Sequence, residues 1–290
     1  MTKMKFNNRL TLVLVAIVAS FGFDNAAAHI KNEASQFPDI EYSDARFDIV
    51  LLVGAGIIPE TPVFEPDAPF SRSDLATWAA LAEDLGAGGE TPDTDALATA
   101  ALEQGLVASI DGQATYEEIN TVFFHGQLTP DRPAATPTRG EAASYIATHL
   151  TSSAGEALLA RRGVRKGPAG HAARVELKRN PDGGNTYMIT IGDTSLPMYA
   201  HGRVANGPTD LVQWDGRMVR RSFIRGQGDL GVWTYLEAEP IATPVLGGNS
   251  TGPEDPTGSE ANTNRSLLYG LVAAASALGL ILFFQGRRSP

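Results

Sequence analysis

Cysteine is absent from the 290 residues, and histidine is scarce, with five in all. The first absence excludes disulfides, thiolate metal sites, a cysteine nucleophile and attachment through a diacylated cysteine, so the folded parts rest on ordinary apolar cores. His29, His125, His149, His171 and His201 follow neither an H-E-x-x-H pattern nor any other metal-ligand spacing. A G-x-S-x-G elbow and a phosphate-binding glycine loop are also missing. Carboxylate pairs do occur, but in so acidic a stretch as the first half they arise by chance. These absences point away from an enzyme and from a resident cofactor.

Basic residues are few in one half only. Between His29 and Leu150 there are five (Lys31, Arg46, Arg72, Arg132, Arg139) against twenty acidic ones, whereas from Arg161 to Pro240 there are twelve against eight. The formal net charge of −10 therefore conceals a dipolar chain, which bears on partners and orientation rather than on fold.

Long apolar runs occur only near the two ends. Lys3, Lys5 and Arg9 precede an apolar stretch from Leu10 to Phe23, and Ala26-Ala27-Ala28 follows, so residues 1–28 read as a signal peptide and the mature chain starts near His29. After such a cut the amine and imidazole of His29 would form a chelate suited to copper, provided a second imidazole lies nearby. "LLYGLVAAASALGLILFF", residues 267–284, carries no charge and covers about 27 Å as a helix, which fits a single transmembrane span. Arg287 and Arg288 place the tail, 285–290, in the cytoplasm and everything between the two runs outside it. The expected location is the cell envelope, a setting that excludes nucleic acid as a partner. Residues 245–266, poor in apolar side chains and rich in Gly, Ser, Pro and acids, read as a disordered linker.

Helical periodicity with a recurring start signal fills residues 36–150. "SDARFDIVLLVGAG" puts Phe47, Val50, Leu51 and Gly54 on one face, with Ser43 as cap and Gly54 and Gly56 as stops. "FEPDAPFSRSDLA" leads into a helix with Ser71 as N-cap and Asp74 three residues on, an approximate capping box. Thr115 with Glu118 and Thr138 with Glu141 repeat that box, and "DTDALATAALEQGLV" is a helix stopped at Gly105. The unit is a helix, a Gly-Leu/Ile turn, a loop and a capped helix.

On these residues the segment 36–150 resembles the S-layer homology family. Phe37-Pro38-Asp39 matches its opening, Gly56-Ile57-Ile58 its turn, and "FEPDAPFSRSDLA" its loop and capped helix, as do Gly126, Leu128, Pro130, Asp131, Thr138, Arg139 and Glu141 in the last copy. The resemblance implies three units around a pseudo-threefold axis that bind anionic cell-wall polysaccharide. Arg72 and Arg139 would then be the ligand-facing cations, with Asp74 and Glu141 beside them. The sequence departs from the family pattern in three places. Ser71 and Asp74 replace Thr and Glu, Tyr116 replaces the middle arginine, and the last copy lacks its first helix. Among so many acids each arginine has an alternative role, a salt bridge that holds loop to helix.

Residues 151–172 read as a linker, and from Ala173 the periodicity becomes two. "RVELKRN" and "TYMITIG" flank a Pro-Asp-Gly-Gly turn, three more strands follow, and "TDLVQW" reads as one helical turn. The expectation for 173–240 is a small five-stranded barrel, OB-like or SH3-like, with Trp214, Phe223 and Trp233 in its core. Arg217, Arg220, Arg221 and Arg225 form a basic strand suited to an anionic partner, either an envelope component or the acidic first half itself.

The expected fold class is thus α+β multidomain: helical S-layer-homology-like repeats, a small barrel, then one transmembrane helix. The leading function is a non-enzymatic, membrane-anchored envelope protein that binds cell-wall polymer or an envelope partner. An accessory subunit of a membrane complex, using both domains for protein contacts, is the alternative, and copper handling through His29 a third reading.

Overall fold

Hydroxyl and acid three residues apart open three of the helices in this computed structural model, which describes residues 29–85, 93–179 and 185–240. In each case the cap side chain accepts from the backbone N–H three residues on, and the acid reaches back to the cap: Ser71 with Asp74, Thr115 with Glu118, Thr138 with Glu141. The helices are α1 (Glu33–Gln36), α2 (Arg46–Ala55), α3 (Arg72–Ala82), α4 (Thr94–Glu103), α5 (Tyr116–Phe124), α6 (Arg139–His149) and α7 (Ser153–Arg161). Gly56 closes α2 in the left-handed conformation, at φ 76°, while Gly54 lies inside that helix. Helix α2 starts three residues later than Ser43 suggests, and the Ser43 hydroxyl accepts from Ala45 N–H instead.

The strands are β1 (Val164–Lys166), β2 (His171–Ala172), β3 (Arg174–Arg179), β4 (Asn185–Ile191), β5 (Thr194–Ala205), β6 (Met218–Arg225) and β7 (Val232–Ala238). All five strands expected after Ala173 are present, and Leu211–Trp214 forms the single helical turn. They build one sheet in the order β1-β6-β7-β5-β4-β3, with β2 also on β6. The β5–β7 pair is parallel and the others are antiparallel.

This sheet corrects the expected fold class: it is mixed, seven-stranded and open, not a five-stranded barrel. Its edges, β1 with β2 and β3, do not pair with each other. Helix α2 lies over β5 and β7, covering the face that closure would otherwise bury. A Cβ on Gly54 would stand 3.1 Å from Thr234 O and 3.3 Å from Arg203 Cβ, so the missing side chain lets helix and sheet meet. The Thr234 hydroxyl donates to Gly54 O at 2.6 Å, which satisfies both groups at that contact.

Nor do helices and strands form separate domains, for all the described residues fall in one compact unit. Ala205, Phe223 and Tyr235 from the sheet belong to the same core as Ile49, Leu52, Trp78 and Phe124. Residues 151–172, read as a linker, carry α7, β1 and β2. Two- and three-residue strands leave no periodicity in a Gly- and Arg-rich sequence, and their pairing to β6 supplies what local propensity does not. The transmembrane helix of the expected fold class has no counterpart here. Among the described residues no helix is long and apolar enough to cross a membrane, and the segment 267–284 lies outside them. The signal peptide 1–28, the linker 245–266, the tail 285–290 and the turn between β3 and β4 lie outside them as well.

Candidate functional site

The three capped helices meet at their N-termini in a closed cycle. The first N–H of α3, from Arg72, donates to Gly112 O; that of α5, from Tyr116, donates to Ala135 O; that of α6, from Arg139, donates to Ala68 O. Each acceptor stands three residues before the cap of the next helix in the cycle. Every helix start therefore satisfies one orphan N–H on the loop that leads into its neighbour. The isolated bridges Ser71 with Gln113 and Pro69 with Thr138 belong to the same junctions.

Side chains repeat the cycle. The Arg72 Nε–H donates to Glu118 at 2.6 Å and an Nη1–H to Asp111 O at 3.0 Å. Arg139 pairs with Asp74, donates to Phe64 O at 2.7 Å and lies 5.0 Å over the Phe64 ring. Tyr116 takes the third place. Burial above all, and then the Glu141 charge, pushes its hydroxyl above the ordinary range. Burial works against the Glu118 carboxylate, yet the hydrogen bonds from Arg72 and Thr115 hold it below the ordinary glutamate value. Both arginines assigned to a polymer thus carry ion pairs between units, while Glu141 serves the α6 cap.

The helices behind this cycle also pair in order: α3 with α4, α5 with α7, α6 with α2. Helix α7, from the stretch read as linker, takes the partner position that the last copy lacks. Sequence spacing gave no sign of this, because α7 follows its unit instead of preceding it.

The basic strand is spent inward. Arg221 bonds Asp48 of α2 at 3.1 Å and also pairs with Glu237, which is 1% exposed. Burial opposes its charge, but Tyr235, Glu237 and Asp48 together raise its pKa above the ordinary guanidinium value. Arg220 reaches Glu237 at 3.2 Å, and Arg217 donates to Gln213 O at 2.8 Å. Arg225 lies 5.5 Å over the Tyr199 ring; burial, then repulsion from Arg162, lowers its pKa. Across the two halves, Arg161 pairs with Glu83, Arg162 with Asp84 at 2.5 Å, and Arg203 with Glu60. The anionic partner of the basic half is, to this extent, the acidic half of the same chain.

A shallow hollow of about 250 Å³ between α3 and α5 is lined by Glu83, Leu106, Thr121, His125 and Arg161. The Arg161–Glu83 pair lies in its wall, and Arg161 also donates to Phe123 O at 2.9 Å. His29, singled out for its position after Ala28, stands beside β5 and faces His201. Among the described residues no group of three or more His, Asp or Glu side chains is placed to hold a metal ion.

No family model matches the chain, no curated protein is significantly similar to it, and no solved structure resembles it significantly.

Proposed function

We propose that the chain is a non-enzymatic cell-envelope protein, related to the S-layer homology family, whose folded unit works as a scaffold for protein contacts. One observation carries this reading. Arg72 and Arg139, the two cations that the resemblance would turn toward a polymer, are bonded to Glu118 and Asp74 of neighbouring units. With its cations occupied, the helical half presents Glu41, Asp67, Asp95, Glu103, Glu117 and Asp131 to solvent. A surface of that sign repels anionic polysaccharide and suits a basic protein face. The accessory-subunit role follows from this, with a partner whose contact surface is rich in Lys and Arg.

Polymer binding is the second reading, favoured by the Arg72 side chain, which keeps a third of its surface exposed at the rim of the cycle. Co-sedimentation of the whole chain with envelope sacculi, before and after their secondary polymers are stripped, separates the two. The scaffold reading expects no polymer-dependent binding, and expects Arg139→Ala to lower stability by about 1.5–3 kcal/mol through loss of charged hydrogen bonds. Sedimentation that needs the polymers and disappears in Arg72→Ala, with its fold intact, would overturn it.

A further inference from the structure

Residues 29–33 dock along β5 as a further, short parallel pairing. His29 N–H donates to Ala200 O at 2.8 Å, and Val204 N–H donates to Lys31 O at 3.0 Å. Lys31 and Arg203 both reach Glu60, Asn206 N–H donates to the Glu33 carboxylate at 3.2 Å, and Asn32 donates to Gly207 O at 3.2 Å. Ile30 packs against the sheet core. The start of the folded unit is therefore held in register, and that register sets His29 opposite His201.

The two imidazoles have their centroids 6.1 Å apart and their planes 21° from parallel. A metal ion shared between them, at about 2.0–2.1 Å from each donor nitrogen, requires a centroid separation of about 6 Å, because each centroid lies roughly 1 Å behind its nitrogen. The observed spacing meets that requirement without rearrangement. His201 is itself fixed: its carbonyl accepts from buried Arg203, and the Tyr199 ring meets its ring edge-on at 5.8 Å. Both histidines are exposed, so an ion has free entry.

We propose that cleavage after Ala28 completes a copper site from the α-amine and imidazole of His29 and the imidazole of His201. The cut turns the His29 backbone N–H into a neutral amine with two hydrogens and one lone pair. One hydrogen keeps the bond to Ala200 O while the lone pair binds the ion, so docking and coordination are compatible. Three nitrogen donors in this arrangement, two of them in one chelate, suit Cu(II) above Zn(II) and the other divalent ions of the first transition row. This donor set includes a main-chain nitrogen, so side-chain clusters alone do not display it.

The test uses the chain from His29 to Pro290, purified after export and titrated with copper(II) chloride, with binding followed by calorimetry and electron paramagnetic resonance. One ion per chain is expected, with a spectrum split by three nitrogens. His201→Ala should weaken binding roughly 100-fold through loss of one ligand. A chain carrying one extra glycine before His29 should lose as much, and it keeps every side chain, so its folding is not in question. Unchanged affinity in the glycine-extended chain, or in a folded His201→Ala chain, would overturn the site. So would a first residue other than His29 in the exported protein.

Discussion

Glu118 shows how one side chain can hold three tasks together. It closes the Thr115 cap, accepts from Arg72, and so joins two consecutive capped helices. Its pKa in the folded chain lies below the ordinary value of 4.5. The sign follows by linkage: the ionised carboxylate stabilises the fold fully above 4.5, and that contribution is lost as pH falls through the lowered folded value. Thermal unfolding of the native chain and of Glu118→Gln should therefore differ clearly at pH 7 and converge in acid below 4.5. A constant difference down to pH 3 would show that the carboxylate contributes through packing instead of charge. The capping boxes were legible in the sequence because they are local, with both partners inside four residues. The Arg72–Glu118 and Arg139–Asp74 pairs span 46 and 65 positions, and spacing alone could not choose them over nearer acids.

Helix α2 meets the sheet by backbone, through Gly54. Substitution by alanine gains about 1 kcal/mol of helix propensity. It also puts a methyl 3.1 Å from Thr234 O, in a place closed by backbone on both sides. Overpacking of this sort costs about 1–3 kcal/mol. Gly54→Ala should accordingly lower stability by about 1 kcal/mol, measured by urea denaturation with an unchanged slope, and Gly54→Val should lower it further. An increase in stability would mean that α2 lifts off β7 at little cost. Periodicity identified this helix and its apolar face, but Gly54 read as a stop. A glycine near a helix end looks the same in sequence whether it closes the helix or admits a neighbour. At the next level, α7 and the short strands β1 and β2 escaped notice because their order comes from partners, α5 and β6, that lie far away in the chain.

Charge separation along the chain becomes attraction within the folded unit. Arg161, Arg162, Arg203 and Arg221 from the basic half reach Glu83, Asp84, Glu60 and Asp48 of the acidic half, while Phe223 and Tyr235 enter the helical core. A chain cut after residue 160 loses all four arginines and uncovers Ile49, Leu52 and their neighbours. It should melt without a cooperative transition and bind a hydrophobic dye, whereas the chain to residue 240 should unfold in one step. Cooperative unfolding of the shorter piece would mean that the helices form an independent domain after all.

The sequence by itself determined the three cap boxes, the glycine stop of α2, the five later strands and the reversal of charge, since each rests on neighbours within a few residues or on composition. Tertiary structure alone decided that helices and sheet share a core, that the sheet stays open, that α7 fills the vacant helix position and that His29 faces His201. These depend on which distant surfaces meet. That choice is set by the summed burial of apolar area and by the pairing of buried charges, neither of which leaves a period or a spacing along the chain.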